Sequence, residues 1–100
     1  MSVTGIWNLA IEAPIGTQHA VLELTEKDGR VTGVVMYAGQ TLPLLNPTLD
    51  GNHLTWQLFP DRPHVLITYD ITINGDTLTG TSTPASHPPS SITGMRTSEK

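Results

Sequence analysis

Tyr37, Trp56 and Tyr69 are the residues of this 100-residue sequence best suited to hold a small molecule, and each falls on the apolar phase of an alternating segment. Aromatic rings with polar handles in an apolar concavity are what such a site needs, because the rings supply contact area while hydroxyl and indole groups fix orientation. The same rings would equally fill the core of a small protein. His53 and Asp70 fall on the opposite phase, and a carboxylate beside an imidazole makes a general base near neutral pH. These two, with Tyr69, are the candidate catalytic residues; a plain cross-strand pair on a solvated face is the simpler role for His53 and Asp70. Trp7 and Arg96, near opposite ends of the chain, are the remaining pair of interest. They could floor a cavity and offer a guanidinium to an anionic group, or close one end of the fold through a cation–π contact worth about 0.5–2 kcal/mol.

Other chemistries find little support. His19, His53, His64 and His87 have no spacing characteristic of a metal site, and there is no cysteine to supply a disulfide, a thiolate ligand or a nucleophile. Ser82, Ser90 and Ser91 lack a nucleophile-elbow motif and a placed base. The sequence calls for no cofactor. A net charge of −4, with five basic residues scattered along the chain, cannot neutralise a row of phosphates, so nucleic acid is not an expected partner. No apolar run approaches the roughly 20 residues of a membrane helix, and the N-terminus has no basic region followed by an apolar one. The expectation is a cytoplasmic protein without a membrane partner.

The elements that must position these residues can be counted from their punctuation. Seven clusters break the chain: Ala13 to Gly16, Asp28-Gly29, Gly39-Gln40, Asn46-Pro47 to Gly51, Pro60 to Pro63, Asn74-Gly75, and Pro84 to Ser90. Glycine supplies positive φ, proline fixes φ, and Asn or Asp tolerates the left-handed region. None of the eight segments between them keeps a helical 3.6 period, and several alternate, as in Trp7, Leu9, Ile11 and in Ile67, Tyr69, Ile71, Ile73, which marks strands with one buried face. Fifteen threonines against five alanines point the same way, since a side chain branched at Cβ packs well on a pleated surface. With one domain expected over residues 1–100 and no helix, the predicted fold is an all-β, eight-stranded antiparallel up-and-down barrel. A β-sandwich is the alternative.

Short turns make the register testable. Asp28-Gly29 as a two-residue loop pairs Lys27 with Arg30 and Leu22 with Val35. Asn74-Gly75 treated likewise pairs Ile73 with Asp76, Ile71 with Leu78 and Tyr69 with Gly80. Gly39-Gln40 pairs Tyr37 with Leu42 and Val35 with Leu44, and a tight turn from Phe59 to His64 pairs Trp56 with Ile67 and Leu54 with Tyr69. Apolar residues then meet apolar residues on one face. That interior comprises Trp7, Leu9, Ile11, Ala20, Leu22, Leu24, Val35, Tyr37, Leu42, Leu44, Leu54, Trp56, Leu58, Ile67, Tyr69, Ile71, Leu78, Ile92 and Arg96, with Gly33, Gly80 and Gly94. A glycine inside a strand marks a sharp bend or room for a ligand, and bending is the simpler reading.

Gly5-Ile6-Trp7 at the start of the first strand, with Arg96 in the last, resembles the calycin arrangement of lipocalins, fatty-acid-binding proteins and avidins. In that group the tryptophan packs under one end of the barrel against a basic residue from the final strand. Pro14-x-Gly16, Gly51-Asn52, Asn74-Gly75-Asp76-x-Leu78-x-Gly80 and Gly94-x-Arg96 are similar in layout to a group of short bacterial barrel proteins. The resemblance implies a ligand-binding barrel. The expected function is therefore binding of a small apolar or aromatic molecule between Trp7, Tyr37, Trp56 and Tyr69, with Arg96 near the floor. Two alternatives stand beside it: a cofactor-independent isomerase, cyclase or lyase using the lumen for acid–base chemistry, and an assembly subunit with a packed lumen. Val21, Val34, Met36, Pro43 and Leu45 fall on the outward phase of neighbouring strands, with Met36 beside Val21 and Pro43 and Val34 beside Leu45. An outward apolar patch of this kind leads us to expect a homodimer.

Overall fold

The computed structural model describes residues 3–14, 16–37, 39–59 and 65–98. Among these, nine strands follow one another without a helix: β1 (Gly5–Ala13), β2 (Gly16–Lys27), β3 (Arg30–Tyr37), β4 (Gln40–Pro43), β5 (Leu45–Asp50), β6 (His53–Leu58), β7 (Ile67–Asn74), β8 (Thr77–Pro84) and β9 (Ser90–Ser98). They form one antiparallel sheet in the order β4-β3-β2-β1-β9-β8-β7-β6-β5. Its two edge strands are consecutive in the chain, separated only by Leu44, so the up-and-down sheet curls into a nearly closed barrel. The turn expected at residues 60–63, and His64, lie outside the described residues.

The ninth strand comes from the fourth expected segment. Asn46-Pro47 is a bulge and not a turn: Leu45 pairs with Gln57 and Thr48 with Thr55, so two residues on β5 stand against Trp56 alone on β6. Asn46 adopts φ 50°. The chemistry that reads as a turn, a left-handed Asn followed by a proline without an N–H, also suits a bulge on an edge strand. The reversal comes at Gly51, where φ is 64°, and it pairs Asp50 with His53. At the bend between β4 and β5, the Leu44 amide donates to the Gly33 carbonyl at 3.1 Å, and pairing passes from β3 to β6.

Three hairpins differ from expectation by two residues. Asn74 pairs with Thr77, which makes the loop Gly75-Asp76 and sets Ile73 against Leu78, Ile71 against Gly80 and Tyr69 against Ser82. Tyr37 pairs with Gln40 and Val35 with Leu42. Trp56 pairs with Tyr69 and Leu54 with Ile71. The Asp28-Gly29 hairpin keeps its expected pairs, Lys27 with Arg30 and Leu22 with Val35. Side chains alternate with a period of two, so a slip of two changes the level of a residue along the barrel but not its face.

The interior set accordingly agrees with the sequence reading. Trp7, Leu22, Leu24 and Leu54 are wholly buried, and the core gains Val3, Val31 and Ile73, with Leu49 partly buried against it. Within the strands, Gly80 and Gly33 face backbone and not open space. A Cβ at either would lie 2.1 Å from a carbonyl oxygen of the adjacent strand, that of Asp70 or Glu23, so bending and close strand approach explain them. Outside, threonines meet across strands, Thr72 with Thr79, Thr79 with Thr93, Thr68 with Thr83 and Thr25 with Thr32. Such pairs are worth about 0.2–1 kcal/mol each, and they absorb much of the threonine excess.

Candidate functional site

The two ends of the barrel are built differently. At one end Trp7 is fully buried, its indole N–H donating to the Val3 carbonyl at 3.0 Å. The Arg96 guanidinium lies over the ring, 4.9 Å from its centroid. Arg96 Nε donates to Asp76 Oδ1 at 2.9 Å, one terminal nitrogen to the Thr4 carbonyl at 3.1 Å and the other to the Gly75 carbonyl at 3.3 Å. The pair that the sequence singled out is thus in contact, with its hydrogen-bonding capacity turned toward Val3, Thr4 and the turn between β7 and β8. Segment and hairpin are tied down as well, since Val3 donates to Glu26 and Glu26 to Thr4.

At the other end a cavity of about 240 Å³ is lined from eight of the nine strands, all but β5. Its walls are apolar, with Ile11, Leu42, Leu58, Ile67 and Pro84, and its polar groups are Gln18, Tyr37, Tyr69, Ser82 and Ser90. No described lining residue is charged. The size exceeds the roughly 150 Å³ of an apolar cavity that holds benzene, and lies just under the usual 300–1,000 Å³ of ligand pockets. A compact, single-ring molecule is the appropriate scale.

Register explains how the polar groups meet. Tyr69 on β7 stands opposite Ser82 on β8, whose side chain bonds its hydroxyl, and Ser82 is the buried polar residue of the described core. Tyr37, at the end of β3, donates its hydroxyl to Gln18 Oε1 on β2. Burial pushes the Tyr69 phenol above its ordinary value, the Ser82 hydrogen bond works against that rise, and the nearby Tyr37 adds to it. Tyr69 is therefore held as a neutral hydrogen-bonding group through the physiological range. Behind it, the Trp56 ring stacks on Tyr69, centroids 5.0 Å apart and planes 7° from parallel. The Trp56 indole N–H is buried and has no partner among the described residues.

Of the five expected ligand contacts, Tyr37 and Tyr69 line this cavity, Trp56 supports Tyr69, and Trp7 and Arg96 belong to the opposite end. His53 and Asp70 do make contact, Nε2 to Oδ1, but as diagonal neighbours: His53 pairs with Thr72 and Asp70 with Thr55. Both side chains are about half exposed on the outer face, away from the cavity. Gln18 was not singled out from sequence, and Ser82 was considered there only as a nucleophile. Their signal was positional, since each continues the inward phase of its strand to the level of the tyrosines.

A larger depression of about 560 Å³ runs over β1, β8 and β9 on the outside, but its walls are the solvent-facing Thr77, Thr79, Thr93 and Thr97 with the exposed Met95. The outward apolar residues remain outward with altered neighbours: Val21 pairs with Met36 as expected, but Met36 pairs with Thr41 and not Pro43, and Val34 with Pro43 and not Leu45. Among the described residues no three His, Cys, Asp or Glu side chains gather as a metal site, and no helix is long and apolar enough to cross a membrane. No family model, curated protein or solved structure matches the chain.

Proposed function

We propose that this protein is a calycin-type binding barrel that holds a compact apolar or aromatic molecule at the end bounded by Tyr37 and Tyr69. The observation that carries the reading is the cavity of about 240 Å³, whose apolar wall converges on two phenols. A packed-lumen assembly subunit would have no use for that space. Acid–base enzymology is less well supported, because the partners of Tyr37 and Tyr69 are the neutral Gln18 and Ser82, and the His53–Asp70 pair stands outside. A general base needs a titratable group within reach of the substrate. The test is a fluorescence titration with single-ring aromatic compounds, Trp56 acting as the reporter through its contact with Tyr69. A change in emission that saturates with ligand supports the reading; no response across the panel would remove it.

A second surface belongs to the same proposal. Val21, Val34, Pro43 and the exposed Met36 and Leu45 form the outer apolar region of β2 to β5, and we read it as the face of a homodimer. Met36→Glu is expected to give monomers in sedimentation velocity, and an unchanged dimer would exclude this face.

A further inference from the structure

The two tyrosines differ in which half of a hydrogen bond they have left to offer. The Tyr37 hydroxyl spends its hydrogen on Gln18 Oε1, which leaves the oxygen with acceptor capacity. Tyr69 stands across from Ser82 on the paired strands β7 and β8, and a serine hydroxyl can supply the hydrogen of a bond to the phenolic oxygen, which leaves Tyr69 its own hydrogen to offer. Tyr37 and Tyr69 line the same cavity.

An acceptor and a donor in one cavity are matched by a ligand group that both gives and takes a hydrogen bond. A ring-bound hydroxyl is the smallest group that does so. The apolar walls accept the ring, and the cavity is larger than the roughly 150 Å³ that benzene occupies in an apolar protein site. Charge on the ligand is disfavoured. No described lining residue offers a counter-ion, and Arg96, an inward-phase cation among the described residues, is bound to Asp76, Thr4 and Gly75 at the far end. An ionised group entering such a site would lose its hydration without compensation.

We infer that the cavity selects neutral phenols, the ligand hydroxyl donating to Tyr37 Oη and accepting from Tyr69 Oη–H while the ring lies among Leu42, Leu58 and Ile67. This rests on the ligand-binding reading above and deepens it to a chemical class.

The experiment compares phenol, toluene and benzoate at pH 7 by calorimetry, with the intact chain, its Tyr69→Phe variant and its Ser82→Ala variant. Phenol is expected to bind about tenfold more tightly than toluene, the scale of one to two neutral hydrogen bonds, and benzoate more weakly than either. Tyr69→Phe should bring phenol down to the toluene level while leaving toluene unchanged, which an effect on folding alone would not do. Ser82→Ala leaves Tyr69 its hydrogen but removes the group that holds its hydroxyl, so it should weaken phenol by less than Tyr69→Phe does; a loss as large as that of Tyr69→Phe would overturn the assignment of the donor to Tyr69. Equal binding of phenol and toluene by the intact chain would overturn the phenol inference while leaving an apolar binding site. Tighter benzoate would overturn the preference for a neutral ligand, and no binding of any of the three would remove both readings.

Discussion

The Trp7 end and the Tyr69 end of the barrel use similar materials, aromatic rings with polar atoms inside a sheet, to opposite effect. At the first, the aromatic and its cation are matched by the protein itself: the indole by the Val3 carbonyl, and the guanidinium by Asp76 and the Thr4 and Gly75 carbonyls. At the second, the hydroxyls are each matched once, by Gln18 and by Ser82, and a cavity remains between apolar walls. A large residue whose hydrogen bonds are met internally closes a barrel. One whose bonds are half met keeps capacity for a visitor.

The comparison is most sharply tested by Trp7→Ala. Truncating a wholly buried tryptophan should cost about 3–5 kcal/mol, a large share of the roughly 5–15 kcal/mol that holds a domain of this size together, read as a lowered urea midpoint. A loss under 1 kcal/mol would mean that this end carries no more structural weight than the other. Arg96→Ala should cost about 2–3 kcal/mol by removing charge-assisted hydrogen bonds and the cation–π contact, while affinity for an aromatic ligand stays within about twofold. If affinity falls steeply instead, the ends are coupled and the division between them is mistaken.

Tyr69→Phe lies lower on the scale, about 1 kcal/mol, the ordinary cost of one hydrogen bond with a buried partner left behind. It also carries a pH signature. The folded chain holds the Tyr69 proton more tightly than the unfolded one, so the unfolded state binds fewer protons once pH exceeds the ordinary tyrosine value of about 10. Stability from this group is full below that value and declines as pH rises toward the folded value. Denaturant melts between pH 8 and 11 should show a steeper decline for the intact chain than for Tyr69→Phe, and parallel curves would contradict it. Smallest is Tyr37→Phe, whose half-buried hydroxyl should be worth under about 1 kcal/mol in thermal melts.

Much of this arrangement was legible in the sequence, for reasons visible at single residues. Tyr69 and Leu54 alternate with polar neighbours, so their burial follows from strand geometry whatever the register. The Trp7–Arg96 contact followed from a resemblance. Asn46-Pro47 misled because a bulge and a turn ask for the same residues. In the Asn74-Gly75-Asp76 hairpin either Asn-Gly or Gly-Asp could supply the two-residue loop, and local chemistry did not separate them.

Sequence alone therefore determined which side of the sheet each residue occupies, because side-chain direction repeats every second residue and only an odd slip can change it. Tertiary structure decided the level along the barrel. Closing the sheet requires every strand to satisfy two neighbours at once, and that joint condition shifted three hairpins by two residues. Those shifts put Trp56 against Tyr69 and Tyr69 against Ser82. A single aromatic interior expected from the sequence became one filled end and one with room for a ligand.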